Sequence, residues 1–118
     1  MQIPPIIYGT AWKKDQTSEL VVKALTLGFR GIDTAGQPKH YNEKGVGEAL
    51  QILKSQGILR QNIFIQTKYT PLAGQDPARM PYDLHAPLTT QVVQSFTSSK
   101  MNLGTDYVDS LILHSPLS

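Results

Sequence analysis

Four short apolar runs alternate along this chain with three longer stretches whose apolar residues recur every three to four positions. IPPIIYG (3–9) reads as a first buried strand ending in glycine, with two prolines restricting pairing at its start. QTSELVVKALTLG (16–28) follows as a helix, with Leu20, Ala24 and Leu27 on one face beside Val21 and Leu25. Gly28 suits its stop. FRGID (29–33) is the second strand, and EKGVGEALQILKSQG (43–57) the second helix. Val46, Ala49, Leu50 and Leu53 fall there at i, i+3, i+4 and i+7, and Gly57 closes the pattern. NIFIQTKY (62–69) is a third strand, TTQVVQSFTSSKMNLG (89–104) a third helix, and DYVDSLILHSP (106–116) a fourth strand.

Strand and helix therefore alternate throughout. This order predicts parallel strands joined by right-handed crossovers, an α/β fold. Between the third strand and the third helix runs a loop of about 19 residues (70–88), a length usual for functional or mobile loops. It holds four of the eight prolines. There is no solenoid repeat, low-complexity segment or interdomain linker, so residues 1–118 read as one domain.

Composition narrows the function classes. The 118 residues suffice for one domain, which would bury roughly two-thirds of its unfolded surface. With 40% apolar and 17% charged residues, the chain reads as soluble and globular. The net charge is +2 and the eleven lysines and arginines are scattered, which argues against a nucleic-acid partner. The absence of cysteine excludes disulfides, thiolate chemistry and cysteine-based zinc sites. No apolar run approaches the ~18 residues that span a bilayer, and MQIPPIIYG lacks the features of a signal peptide. No membrane partner and a cytoplasmic location are expected.

The candidate chemistry lies at the strand ends. Strand two ends at Asp33, strand three at Lys68 and strand four at His114. Parallel strands bring their C-terminal ends to one rim, where active sites sit in barrels and open α/β sheets alike. Lys68 is the cation that an aspartate at the inner end of a strand requires. Singly, each residue has a plainer reading: the aspartate a turn-former, the lysine solvated, the histidine a satisfied loop residue, Tyr41 a packing group. Their convergence points to chemistry. A free tyrosine, with a pKa of about 10, is a poor acid near neutrality. A neighbouring ammonium favours the phenolate and eases proton donation to a developing alkoxide. A histidine donating to the same oxygen acts as in an oxyanion hole. Such a set suits carbonyl reduction.

GFRGIDTA, Tyr41 with NEKGVG, IQTKY and DSLILHSP occur in that order, and together they resemble the aldo-keto reductases over essentially the whole chain. The resemblance implies NADPH as cofactor and a TIM-type (β/α)8 barrel, of which this chain would form a parallel β/α half-barrel of four strands and three helices. It implies a small-molecule carbonyl substrate. It further implies a catalytic tetrad: Tyr41 as proton donor, Lys68 as its charged partner, Asp33 as the anchor of Lys68, and His114 as the group orienting the carbonyl. Thr10 and Asp33 would lie near the nicotinamide riboside, and Trp12, with His114, would face substrate. Trp12 has an equally plain reading as core or rim packing.

The chain departs from the family pattern in two ways. Tyr41 lies eight positions after Asp33, farther than is usual in the family, with GQPKHY filling the gap. Tyr69 is the nearest alternative acid. The chain also has under half of the about 250 residues of a full barrel. The family's main contacts to the nicotinamide face and the adenosine phosphate come from the half beyond strand four. Weak or no activity in isolation is therefore expected. A different reading is a truncated, non-catalytic fragment that acts as an interaction module, or self-associates, through its open first and fourth strands. Gly45-Val-Gly47 is not a dinucleotide fingerprint, because position 50 is leucine where a third glycine would stand.

Overall fold

A computed structural model describes residues 2–117. Four parallel strands, β1 (Tyr8–Gly9), β2 (Gly31–Asp33), β3 (Phe64–Tyr69) and β4 (Ser110–Leu113), form one sheet in the order β1-β2-β3-β4. Between them lie α1 (Thr17–Thr26), α2 (Glu43–Ser55) and α3 (Leu88–Leu103). The sheet is open, and its strands pair as successive strands of a (β/α)8 barrel do.

Register fixes the two faces of the sheet. Ile32 pairs with Ile65, and Asp33 with Gln66. Side chains alternate along a strand, so Ile32 and Ile65 share one face while Asp33, Gln66 and Lys68 share the other. Ile32 and Ile65 are fully buried against Val21, Leu25, Val46 and Leu53 of α1 and α2. Burial of each such side chain stabilises the fold by about 1.5–3 kcal/mol. The opposite face carries Asp33, Gln66 and Lys68.

Local chemistry sets the helix ends. The Asn42 side chain accepts a hydrogen bond from the Gly45 amide at 2.9 Å and caps α2. Gly104, at φ 67°, terminates α3 in the left-handed conformation. Gly47 serves a close approach between helices, since a Cβ there would collide with the backbone carbonyl of Asn102 at the end of α3. The two glycines of Gly45-Val-Gly47 thus belong to the start and packing of α2.

Several expectations shift. The first strand is two residues long rather than seven, because only Tyr8 and Gly9 find partners in β2. Ile3 and Ile6 are exposed, outside the core. Leu27 caps α1 and faces solvent, so the buried face of that helix runs through Val21, Ala24 and Leu25. The long loop is not featureless. It contains a 3-10 turn (Leu72–Gly74) and is anchored by the buried Gln75, whose Nε2 donates to the carbonyls of Gly36 and Thr70. Tyr82 adds a bond from its hydroxyl to the Thr70 carbonyl at 2.8 Å.

Candidate active site at the C-terminal strand ends

Asp33 ends β2, Lys68 is the fifth residue of β3, and His114 directly follows β4. The His114 amide extends the sheet by donating to the Tyr69 carbonyl at 2.9 Å. Past Asp33, the backbone stays beside β3: Thr34 N–H donates to the Gln66 carbonyl and Gly36 N–H to the Lys68 carbonyl, each at 2.9 Å. These bonds start the loop that leads to Tyr41 along a fixed path.

Lys68 is nearly buried. Its Nζ donates to Asp33 Oδ2 at 2.6 Å and to the Thr34 carbonyl at 2.9 Å. The ion pair is retained because its other lone pairs are also met. Gln66 Nε2 donates to Asp33 Oδ1 at 2.9 Å, and Ser110 Oγ donates to Gln66 Oε1 at 2.9 Å. Burying the pair without these partners would cost several kcal/mol. Lys68 Nζ also lies 4.9 Å from the centroid of the Tyr41 ring, within cation–π range. Tyr41 in turn meets His114 edge to face, with ring centroids 5.7 Å apart. Asp33, Lys68, Tyr41 and His114 thus form one contiguous group.

The four are held by groups the sequence did not single out. Thr70 Oγ1 lies 2.7 Å from His114 Nδ1. When the threonine hydroxyl donates, Nδ1 is the acceptor and the ring carries its hydrogen on Nε2. Burial, with the Lys68 charge adding and the Asp33 charge opposing, holds His114 below the usual histidine range, which favours the neutral ring. Gln66 was legible in principle, since it lies two residues before Lys68 and shares its face. Thr70 carries no such signal, because its hydroxyl reaches His114 only across the strand ends.

Glu43 is the other unanticipated group. Its carboxylate accepts hydrogen bonds from Thr67 Oγ1 at 2.5 Å and Ser99 Oγ at 2.7 Å, beneath the sheet. Burial pushes its carboxyl above the usual glutamate range, against the two hydrogen bonds and the Lys68 charge.

Thr10 and Trp12 part company. Thr10 is fully buried and donates both its amide and its hydroxyl to the Asp33 carbonyl, at 3.1 and 2.8 Å. Trp12 is 65% exposed, stacks on His40 with ring centroids 3.7 Å apart, and lines an open pocket of about 570 Å³ together with Tyr41. It therefore packs at the rim rather than in the core.

A parallel β/α sheet that gathers an aspartate–lysine pair, a tyrosine and a histidine at its C-terminal rim has them where the active sites of (β/α)8 barrels sit. The chain belongs to the Aldo/keto reductase family, whose profile matches residues 5–117. It is 37% identical over 117 residues to the methylglyoxal reductase DkgB of Yersinia pestis, covering 98% of this chain and 37% of that protein. It is 33% identical over 119 residues to the D-galacturonate reductase of Hypocrea jecorina, covering 99% of this chain and 33% of that protein. An aldo-keto reductase of the silkworm Bombyx mori, solved with NADPH, matches with a TM-score of 0.75 at 25% identity, covering all of this chain and 34% of that one. The chain spans about a third of the length of the curated relatives it matches.

Proposed function

We propose that this chain carries the acid–base half of a carbonyl reductase that converts an aldehyde or ketone to an alcohol with NADPH. One observation supports the reading above others: Lys68, already bonded to Asp33 and Thr34, stands over the ring of Tyr41, which touches His114. In this reading the substrate carbonyl oxygen sits between the Tyr41 hydroxyl and His114 Nε2. His114, neutral and fixed by Thr70, donates a hydrogen bond that polarises the carbonyl. The Tyr41 hydroxyl gives its proton to the oxygen as negative charge develops there, and the Lys68 ammonium stabilises the phenolate left behind. Asp33 and Gln66 keep Lys68 aimed at the tyrosine.

NADPH, when bound, supplies the hydride that reaches the carbonyl carbon. Among the residues present, Asp33 suits the nicotinamide riboside, because its side chain remains 24% exposed at the rim while anchored on both oxygens. Thr10 fixes the Asp33 backbone beneath it. Relatives named as reductases of methylglyoxal and D-galacturonate, and the relative solved with NADPH, favour the same reading. Trp12 forms the wall on the substrate side.

The test joins this chain to the C-terminal half of a relative's barrel and follows NADPH oxidation with a reactive aldehyde. Tyr41→Phe is expected to lower turnover by about 100-fold or more while leaving NADPH binding nearly intact, because it deletes a proton donor and little else. Lys68→Met is expected to act in the same direction. Undiminished turnover in Tyr41→Phe overturns the assignment and directs attention to Tyr69.

A further inference from the structure

The pocket that Tyr41 lines together with Trp12 has a charge the reaction itself does not require. Lys14, Lys39 and Arg79 line it beside Trp12, His40 and Tyr41, and no carboxylate is among its lining residues. The three cations come from three separate loops, before α1, before α2 and after β3. Arg79 is partly engaged, its Nε donating to Asp76 Oδ2 at 3.2 Å. The two lysines make no ion pair among the described residues. In a chain of net charge +2, this is a local concentration of positive charge at one opening.

The loops are built to hold it. Trp12 and Lys14 both adopt left-handed backbone, at φ 65° and 52°, a conformation that costs a non-glycine residue of order 1–3 kcal/mol unless its surroundings enforce it. Cross-loop bonds do so. Trp12 N–H donates to the His40 carbonyl at 2.8 Å, and Asn42 Nδ2 donates to the Lys14 carbonyl at 3.1 Å. Lys39 and His40 lie in the stretch that lengthens the Asp33-to-Tyr41 spacing. Lys14 and Lys39 are thus part of the same loop architecture that delivers Tyr41 to the rim, while Arg79 reaches the pocket from the loop after β3.

We propose that this pocket selects carbonyl substrates bearing an anionic group, a carboxylate or phosphate held by Lys14, Lys39 and Arg79 while the carbonyl reaches Tyr41. The inference rests on the reading that Tyr41 marks the reacting end. Lysine and arginine here act as complementary charge that raises both encounter rate and affinity for an anion.

Trp12 is the only tryptophan of the chain, so its fluorescence reports on this pocket without cofactor or turnover. The intact chain is titrated at low ionic strength with 4-oxobutanoate and, separately, with its uncharged amide 4-oxobutanamide. The acid is expected to bind about tenfold tighter or more. The preference should shrink as salt shortens the screening length from about 30 Å at 0.01 M to about 8 Å at 0.15 M. Lys39→Gln and Arg79→Gln, both exposed and harmless to the core, should each erode it, and Lys14→Gln added to them should abolish it. Equal affinity for acid and amide, no response to the acid, or a preference that survives all three substitutions overturns the proposal. A second arm titrates NADPH. If the substitutions weaken NADPH and NADPH displaces 4-oxobutanoate, the cations serve cofactor phosphates and the proposal fails. Absence of carbonyl reduction in the chain joined to a relative's C-terminal half, with the acid preference intact, would instead count against the reductase reading alone.

Discussion

Glu43 and Lys68 lie on opposite sides of the same strand, one fixed through Thr67 beneath β3 and the other bonded to Asp33 above it. The charge on Lys68 favours an ionised Glu43, yet burial dominates and raises the carboxyl above its ordinary value. An acid whose pKa is raised by folding is held more readily in its protonated form. Its contribution to stability is therefore fully present below its unfolded value, near 4.5, and is lost as pH rises through the raised value. Glu43→Gln removes this titration while keeping the size of the group. Relative to the unsubstituted chain, the variant is expected to gain stability with rising pH above 4.5, by at most about 1.4 kcal/mol per pH unit, and then level off. Urea unfolding of both proteins across that range measures it. A difference that stays flat with pH would mean that Glu43 titrates alike in the folded and unfolded chains.

Between α2 and α3 the decisive element is a missing side chain. Gly47 lets the helix pass so near the Asn102 carbonyl that even a methyl group has no room, and the obstacle is backbone rather than a movable side chain. Gly47→Ala is expected to destabilise the fold by about 1–3 kcal/mol despite the better helix propensity of alanine, as seen in a lowered urea midpoint. No loss of stability would mean that α3 can shift without consequence. This contact was not legible in the sequence, where the glycine pair read only as a failed fingerprint, because a helix–helix approach depends on residues far apart in the chain. The elements were largely legible for the opposite reason: the buried face of α2, through Val46, Ala49, Leu50 and Leu53, is written within one helix. The apolar letters of residues 3–9 fit a longer strand than forms, because ladder partners exist in β2 for Tyr8 and Gly9 alone. The ends of β2, β3 and β4 were readable as a rim, so Asp33, Lys68 and His114 could be placed together. Thr70 and Glu43 could not, since their partners are set by tertiary packing.

Across the whole molecule, the sheet has two open edges, each of β1 and β4 pairing with a single neighbour among the described residues. On β4, Leu111 and Leu113 lie on the face shared with Thr67 and Tyr69 and remain 41% and 50% exposed. An apolar edge of this kind recruits further strands. The 118-residue chain alone is expected to self-associate and to show little NADPH-dependent reduction, whereas Leu111→Lys with Leu113→Lys should shift it toward monomer. Light scattering beside an NADPH oxidation assay checks both, and a monodisperse, active unsubstituted chain would contradict them. The strictly sequential order β1-β2-β3-β4 carries one more consequence, for the chain as it leaves the ribosome. Each new strand docks on the one synthesised just before it, so none of the pairings among β1 to β4 has to wait for a distant segment. The Asp33–Lys68 pair can close once β3 has emerged, before His114 is made. The four strands can thus assemble vectorially, with the candidate rim brought together in the order of translation.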